Sequence, residues 1–132
     1  MGWNISLLEN TAHVPLESRA HVAEACIEHS EAFWSADGLT PSQQIERVFW
    51  GTEPNDTLIK FDSDDMEHMD YVTHNTEICR AMAAAGVTGR ICFGSLAGDN
   101  SGQFWGVEFA SGHYRSLTGK VQWTPGTSYP GN

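Results

Sequence analysis

The feature that most constrains the fold is a two-residue alternation of apolar and polar side chains in the last third of the chain. Ile91 and Phe93 alternate along one run, and a polar loop at residues 98–102 separates it from the next. Beyond the loop, the positions assigned to the same apolar face are Trp105, Val107, Phe109, Leu117, Val121 and Trp123. Because successive side chains of a strand point to opposite faces, the pattern predicts an antiparallel β-meander, with a turn at Ser111-Gly112.

The opposite face of this meander carries two aromatic residues, Phe104 and Tyr114. Exposed apolar patches of more than roughly a few hundred Å² usually mark an interface or a ligand groove. We therefore expect Phe104 and Tyr114 to belong to a contact surface. Singly exposed rings without consequence are the alternative.

The N-terminal part of the chain carries one strand pattern and one helix pattern. Residues 3–8 alternate as a strand, and a turn is expected at residues 9–11. Residues 16–34 have helical spacing. The apolar stripe predicted for this helix consists of Val22, Cys26, His29 and Phe33.

The middle of the chain mixes helix and strand signals. Thr40, Pro41 and Gln43 form a helix-start signature, with Thr at the cap and Gln reaching back to it. Residues 48–50 and 57–61 are β-rich and predict a hairpin around the turn signals between them. Asp64 or Asp65 then caps a second helix, which is predicted to run to Gly86 with Thr76 on its apolar stripe.

The predicted order of elements is β-α-β-β-α-β-β-β. It describes an α+β fold in which a mostly antiparallel sheet, with its C-terminal β-meander, packs two helices on one face. The length of 132 residues suits one domain, assigned to residues 1–123. Residues 124–132 are rich in Pro, Gly and Ser and are predicted to form a C-terminal tail.

Net charge restricts the partners. The chain contains seven basic and seventeen acidic residues, which gives a formal charge of −10. A phosphate backbone or an anionic membrane requires clustered cations, so neither nucleic acid nor membrane is an expected partner. An acidic surface suits a basic protein or a cationic ligand.

Cysteine usage indicates the compartment. Cys26, Cys79 and Cys92 are an odd number, are widely spaced and form no C-x-x-C pair, so neither a disulfide framework nor a zinc ribbon is predicted. Buried free thiols are expected, and with them a reducing, cytoplasmic environment. No run approaches the ~20 apolar residues of a membrane helix.

The most acidic segment, residues 53–77, contains eight carboxylates against one lysine. Asp62 and Asp64 (or Asp65), with His68, are candidate ligands for Mg²⁺ or Mn²⁺. A calcium loop of the EF-hand type is excluded because Glu67 stands where that loop needs glycine. Helix capping by these carboxylates is the favoured alternative, so no metal or cofactor is predicted.

Two functions remain open. The leading hypothesis is a non-enzymatic binding protein, homo-oligomeric, that uses its sheet face for contacts. The alternative is a small ligand-binding domain or enzyme with an apolar pocket between helices and sheet, in which His29 or His68 would be the titrating group. The aromatic residues that would line this pocket are Trp50, Phe93, Trp105 and Trp123.

The C-terminal third also carries a resemblance. Three segments resemble the ends of small bacterial domains of unknown function, including orphan proteins of mobile gene cassettes. They are Gly-Arg-Ile-Cys-Phe-Gly from position 89, Gln-Phe-Trp-Gly-Val-Glu-Phe from 103 and Val-Gln-Trp-Thr-Pro from 121. The likeness covers residues 89–125 and rests on strand and turn residues. It brings no catalytic motif and implies no functional residue.

Overall fold

A four-stranded antiparallel sheet and four α-helices form the framework of the computed structural model, which describes residues 5–29, 38–49, 66–98 and 101–131. The N-terminal half contains β1 (Ser6–Asn10), a 3₁₀ turn (Leu16–Ser18), α1 (Arg19–Glu28) and α2 (Pro41–Val48). The C-terminal half contains α3 (Met66–His74), α4 (Thr76–Ala84), β2 (Gly89–Gly94), β3 (Phe104–Ala110) and β4 (His113–Gly119).

The strand order in the sheet is β1-β2-β3-β4, with every neighbouring pair antiparallel. This confirms the predicted α+β class and the C-terminal meander. β1 extends the meander at the β2 edge, and its pairing is interrupted by a register shift between Leu7 and Glu9. Such a bulge increases local twist and re-aims the side chain at the bulge, here Leu8.

One face of the sheet packs against the helices. Ile91, Phe93, Val107 and Phe109 share this inner face and are at most 1% exposed. They belong to the same buried cluster as helix residues such as Val22, Cys26, Ile78 and Met82. The alternation in β2 and β3 therefore predicts the core side of these strands correctly.

The start of α2 follows the predicted capping box. Gln43 N–H donates to Thr40 Oγ1 (3.3 Å), and Thr40 N–H donates to Gln43 Oε1 (2.8 Å). The prediction of a strand at residues 48–50 is wrong for its described part, because Val48 ends the helix and Phe49 caps it. Both are buried in the core, and the Arg19 guanidinium lies 4.5 Å from the Phe49 ring centre. Tertiary packing here overrides β propensity. Trp50 and residues 57–61 lie outside the described residues.

The long helix predicted up to Gly86 is two helices. Asn75 interrupts it in an extended conformation, and its side chain accepts a hydrogen bond from Ile78 N–H (2.9 Å) as the N-cap of α4. The break turns Thr76 to solvent, contrary to its predicted place on the apolar stripe. Gly86, at a φ of 88°, ends α4 as predicted, in a Schellman arrangement where Val87 N–H donates to Met82 O.

The boundaries of β1 and α1 in the structure also differ from the predicted ones. Residues 9 and 10, expected in a turn, belong to β1, because Thr11 N–H donates to Arg90 O (2.8 Å) and continues the pairing with β2. α1 ends at Glu28, short of the predicted residue 34, and residues 30–37 are not described. The helices within the described ranges are all too short to cross a membrane.

Candidate functional site

The sheet face turned away from the helices carries a shallow apolar groove of about 310 Å³, called here the outer groove. Its lining includes the apolar side chains of Leu8, Cys92, Phe104 and Leu117 together with Arg90 and Lys120. Leu8 is 51% exposed, and the other three apolar residues are half-buried. Four strand segments thus present apolar side chains to solvent on one continuous surface.

Glycines shape this groove. A Cβ atom on Gly94 would lie 2.7 Å from Phe104 Cδ1 and 2.7 Å from Leu8 Cδ1, and one on Gly119 would lie 3.2 Å from Phe104 Cβ. Gly94 and Gly119 pair with Phe104 from the two neighbouring strands. The phenyl ring therefore lies against backbone that has no side chains of its own, as aromatic residues do beside glycines in sheets. This arrangement keeps Phe104 low on the sheet and leaves the groove open.

Ion pairs border the groove. The guanidinium of Arg90 pairs with Glu9 across β1 and β2, and Arg115 Nε and Nη2 donate to Glu108 Oε1 at 2.8 and 2.5 Å. Exposed pairs of this kind contribute little stability. Their consequence is electrostatic: the outer face is almost neutral in a chain of net charge −10.

The predicted position of Tyr114 on this face is wrong. Ser111 and Gly112 (φ 53° and 77°) form a two-residue turn that pairs Ala110 with His113 and Phe109 with Tyr114. Directly paired residues share a face, so Tyr114 faces the helices, with its ring centre 6.3 Å from that of Phe109. The same register brings Leu117, predicted on the core side, to the outer groove opposite Gly106.

Two further residues predicted in the core lie outside it. β4 ends at Gly119, so Val121 and Trp123 belong to the irregular residues that follow. Their exposed fractions are 55% and 89%. The apolar alternation in the sequence continues past Gly119, but strand pairing does not.

The described residues among the predicted aromatic lining of a pocket between helices and sheet are Phe93, Trp105 and Trp123. Phe93 is fully buried and stacks on Trp105, with ring centres 6.0 Å apart. Trp105 Nε1 donates to Asp70 Oδ1 (2.5 Å), and His74 Nε2 lies 3.2 Å from the same oxygen. These contacts fasten α3 to the sheet, while Trp123 is exposed to solvent.

His29 is half-buried at the C-terminal end of α1. Its carbonyl accepts a hydrogen bond from the Tyr71 hydroxyl (3.0 Å), which in turn accepts from Asn75 Nδ2 (3.1 Å). The residue lines a shallow groove between α1 and α4 together with His21, Glu24, Glu28, Glu77 and Arg80. His29 is therefore neither in the core nor on the sheet face.

The candidate metal ligands fall largely outside the described residues. Asp62 and Asp64 lie there, and so does the side chain of His68, whose backbone belongs to α3. Within the described parts of the chain, no group of three His, Cys, Asp or Glu residues is placed to hold a metal ion.

The three cysteines fall into two classes. Cys26 and Cys79 are in the core, as predicted, and burial raises their pKa to about 12 and about 11. The Cys79 thiol also donates to Val72 O (3.2 Å). Cys92, also predicted to be buried, is only partly buried: it lies in the outer groove, and partial burial raises its pKa as well.

We expect Cys92 to be the fast-reacting thiol of the folded protein, because the thiolate is the nucleophile and only this thiolate is accessible without unfolding. In protein dilute enough to be monomeric, Ellman's reagent at mildly alkaline pH should modify one thiol per chain quickly, and in urea it should modify all three. Cys92→Ser should remove the fast phase, and Cys26→Ser should keep it. A fast phase that persists in Cys92→Ser would show that the core opens readily.

Comparison with protein-family models, with curated proteins and with solved structures gives no significant match to this chain. The resemblance over residues 89–125 therefore stays a prediction.

Proposed function

We propose that this protein is a non-enzymatic, homo-oligomeric interaction protein whose outer sheet face is the contact surface. The observation that supports the proposal is the outer groove, in which side chains from all four strands place apolar surface in solvent. An antiparallel sheet commonly leaves one face to water, and that face is then polar. The outer face of this sheet has an apolar centre with charges at its margin, which is the composition of an interface.

Charge favours contact at this face. Three of the seven basic residues, Arg90, Arg115 and Lys120, lie on or beside it, against two acidic residues, Glu9 and Glu108. Elsewhere the chain is strongly acidic, so two copies repel each other when other surfaces approach. The outer face allows association with little repulsion. The acidic remainder stays available to a basic protein or a cationic ligand.

A charge placed in the groove tests the proposal. Leu117→Glu should weaken self-association at least about tenfold, because burying an unpaired carboxylate in an apolar interface is costly. Sedimentation equilibrium over a range of protein concentrations measures the change. Circular dichroism establishes that the variant is folded, as expected for a half-exposed side chain outside the core.

Leu96→Glu is the matched control. Leu96 is an exposed leucine (70%) in the loop after β2 and is not part of the outer groove. The Leu96→Glu variant should therefore associate like the wild-type protein. Equal association of Leu117→Glu and wild type would contradict the proposed role of the outer face, and so would a wild-type chain that is monomeric at every concentration.

A further inference from the structure

The residues that follow β4 have an unusual combination of composition and exposure. Residues 120–131, called here the C-terminal segment, form neither helix nor strand, and each of them is exposed. Trp123 and Tyr129 are 89% and 81% exposed, although aromatic side chains of this size are normally covered by protein or ligand. After Lys120 the segment contains no charged side chain.

The segment starts at the outer groove. Lys120 lines the groove, one residue beyond the end of β4. The residues that follow it are exposed, beginning with Val121 at 55%. The groove and the segment of one chain are therefore adjacent, and both present apolar surface to solvent.

We propose that the C-terminal segment of one copy docks in the outer groove of a second copy, and that the second copy returns the same contact. This inference rests on the proposed function and names the partner of the outer face. Trp123 is the main anchor, placed against Phe104 and Leu117. The two contacts are related by a two-fold axis, which closes the assembly as a dimer.

Electrostatics select this occupant. Two chains of charge −10 repel over most of their surfaces. Residues 121–131 are uncharged, and the outer face is close to neutral, so the two surfaces meet without that repulsion. A strongly acidic or basic peptide would gain no such advantage in a groove whose guanidinium groups, on Arg90 and Arg115, already have carboxylate partners.

The size of the aromatic side chains and the restricted backbone of the C-terminal segment also favour docking. Each of Trp123 and Tyr129 can bury about 150–250 Å². The four rings of two reciprocal segments can together bury about 600–1,000 Å², a large part of the roughly 1,200 Å² at which stable specific interfaces begin. Pro125 and Pro130 restrict the backbone of the segment, which lowers the entropy lost on docking.

Two full-length variants and their mixture test the proposal by sedimentation velocity. Trp123→Asp removes the anchor and keeps the groove, whereas Leu117→Glu keeps the anchor and blocks the groove. Each variant alone should be at least about tenfold weaker in dimerisation than wild type. An equimolar mixture should associate more strongly than either variant alone but more weakly than wild type, because one of the two reciprocal contacts is intact: the segment of the Leu117→Glu chain fits the groove of the Trp123→Asp chain.

The outcomes separate the inference from the proposed function. If Trp123→Asp dimerises like wild type while Leu117→Glu does not, the segment is not the occupant, and the outer face packs on another surface of the second copy. If the mixture associates no more strongly than either variant alone, docking of the segment in the groove is wrong. If Leu117→Glu also dimerises normally, or the wild type is monomeric, both the inference and the proposed oligomer fail. Leu96→Glu and circular dichroism provide the same controls as before.

Discussion

Replacing Gly89 with alanine should lower the free energy of unfolding by about 3 kcal/mol or more. Gly89 begins β2 at a φ of 98°, a conformation that L-residues rarely adopt. A Cβ atom there would also overlap the Thr11 carbonyl oxygen. That carbonyl belongs to the junction where β1 meets β2, so the clash can be relieved only by separating the two strands. Urea unfolding followed by circular dichroism measures the loss.

Gly102→Ala is the matched control. Gly102 has a similar φ of 88°, but a Cβ atom at this position would have no neighbour within 4 Å. Its substitution should cost about 1–2 kcal/mol, the strain of a left-handed alanine alone. Equal losses at Gly89 and Gly102 would show that the strand junction accommodates the methyl group, contrary to the expected clash.

Alkaline pH should destabilise the fold through the two buried thiols. Cys26 and Cys79 have native pKa values of about 12 and about 11, against an ordinary value of 9.0. Because the native state favours the protonated form of both thiols, their full contribution to the free energy of unfolding is present below pH about 9. Above it the unfolded chain releases these protons first, and each thiol then removes about 1.4 kcal/mol of stability per pH unit until its native pKa is reached. Urea unfolding between pH about 8 and about 11 should therefore show a loss of several kcal/mol.

Single cysteine substitutions identify the source of that loss. Cys26→Ala should be less stable at neutral pH because of the cavity it leaves, but its stability should fall less steeply with alkaline pH. Cys92→Ser should retain nearly the full wild-type slope, since that thiol is half-exposed. An unchanged slope in Cys26→Ala would contradict the assignment of the alkaline loss of stability to this thiol.

The sequence predicts those parts of the fold in which local pattern and tertiary packing agree. Ile91, Phe93, Val107 and Phe109 alternate in the sequence and are buried together. The Thr40–Gln43 capping box and the glycine that ends α4 are also readable, because each is a hydrogen-bond arrangement within a few residues. Local chemistry of this kind needs no knowledge of the partner elements.

Other parts depend on contacts distant in sequence. Val48 and Phe49 favour strands by propensity, but the core of α1 and α2 places them at a helix end. Asn75 breaks a continuous apolar stripe because its side chain can cap α4 while also contacting Tyr71. Neither the stripe nor residue propensities specify which of these competing arrangements is lower in free energy.

The candidate site is predictable only in part. Phe104 lies on the outer face as expected, but Tyr114 does not, and Leu117 lies there although the alternation in the sequence predicts the core side for it. The turn at Ser111-Gly112 is the signal that could have placed Leu117 on the outer face. Once this turn is known to have two residues, it fixes the register of β4 against β3. Leu8 depends on a bulge in β1, and no residue pattern in that strand marks the position of the bulge.

The position of β1 has a consequence for the order of folding. β2, β3 and β4 are joined by short loops and can pair as soon as they are synthesised, whereas Glu9 and its partner Arg90 are 81 residues apart. Closing so long a loop is entropically unfavourable until the meander and helices offer a surface. We expect β1 to dock after the rate-limiting step, so substitutions in it should mainly accelerate unfolding. During translation, β1 should therefore remain unpaired until the last third of the chain has been synthesised.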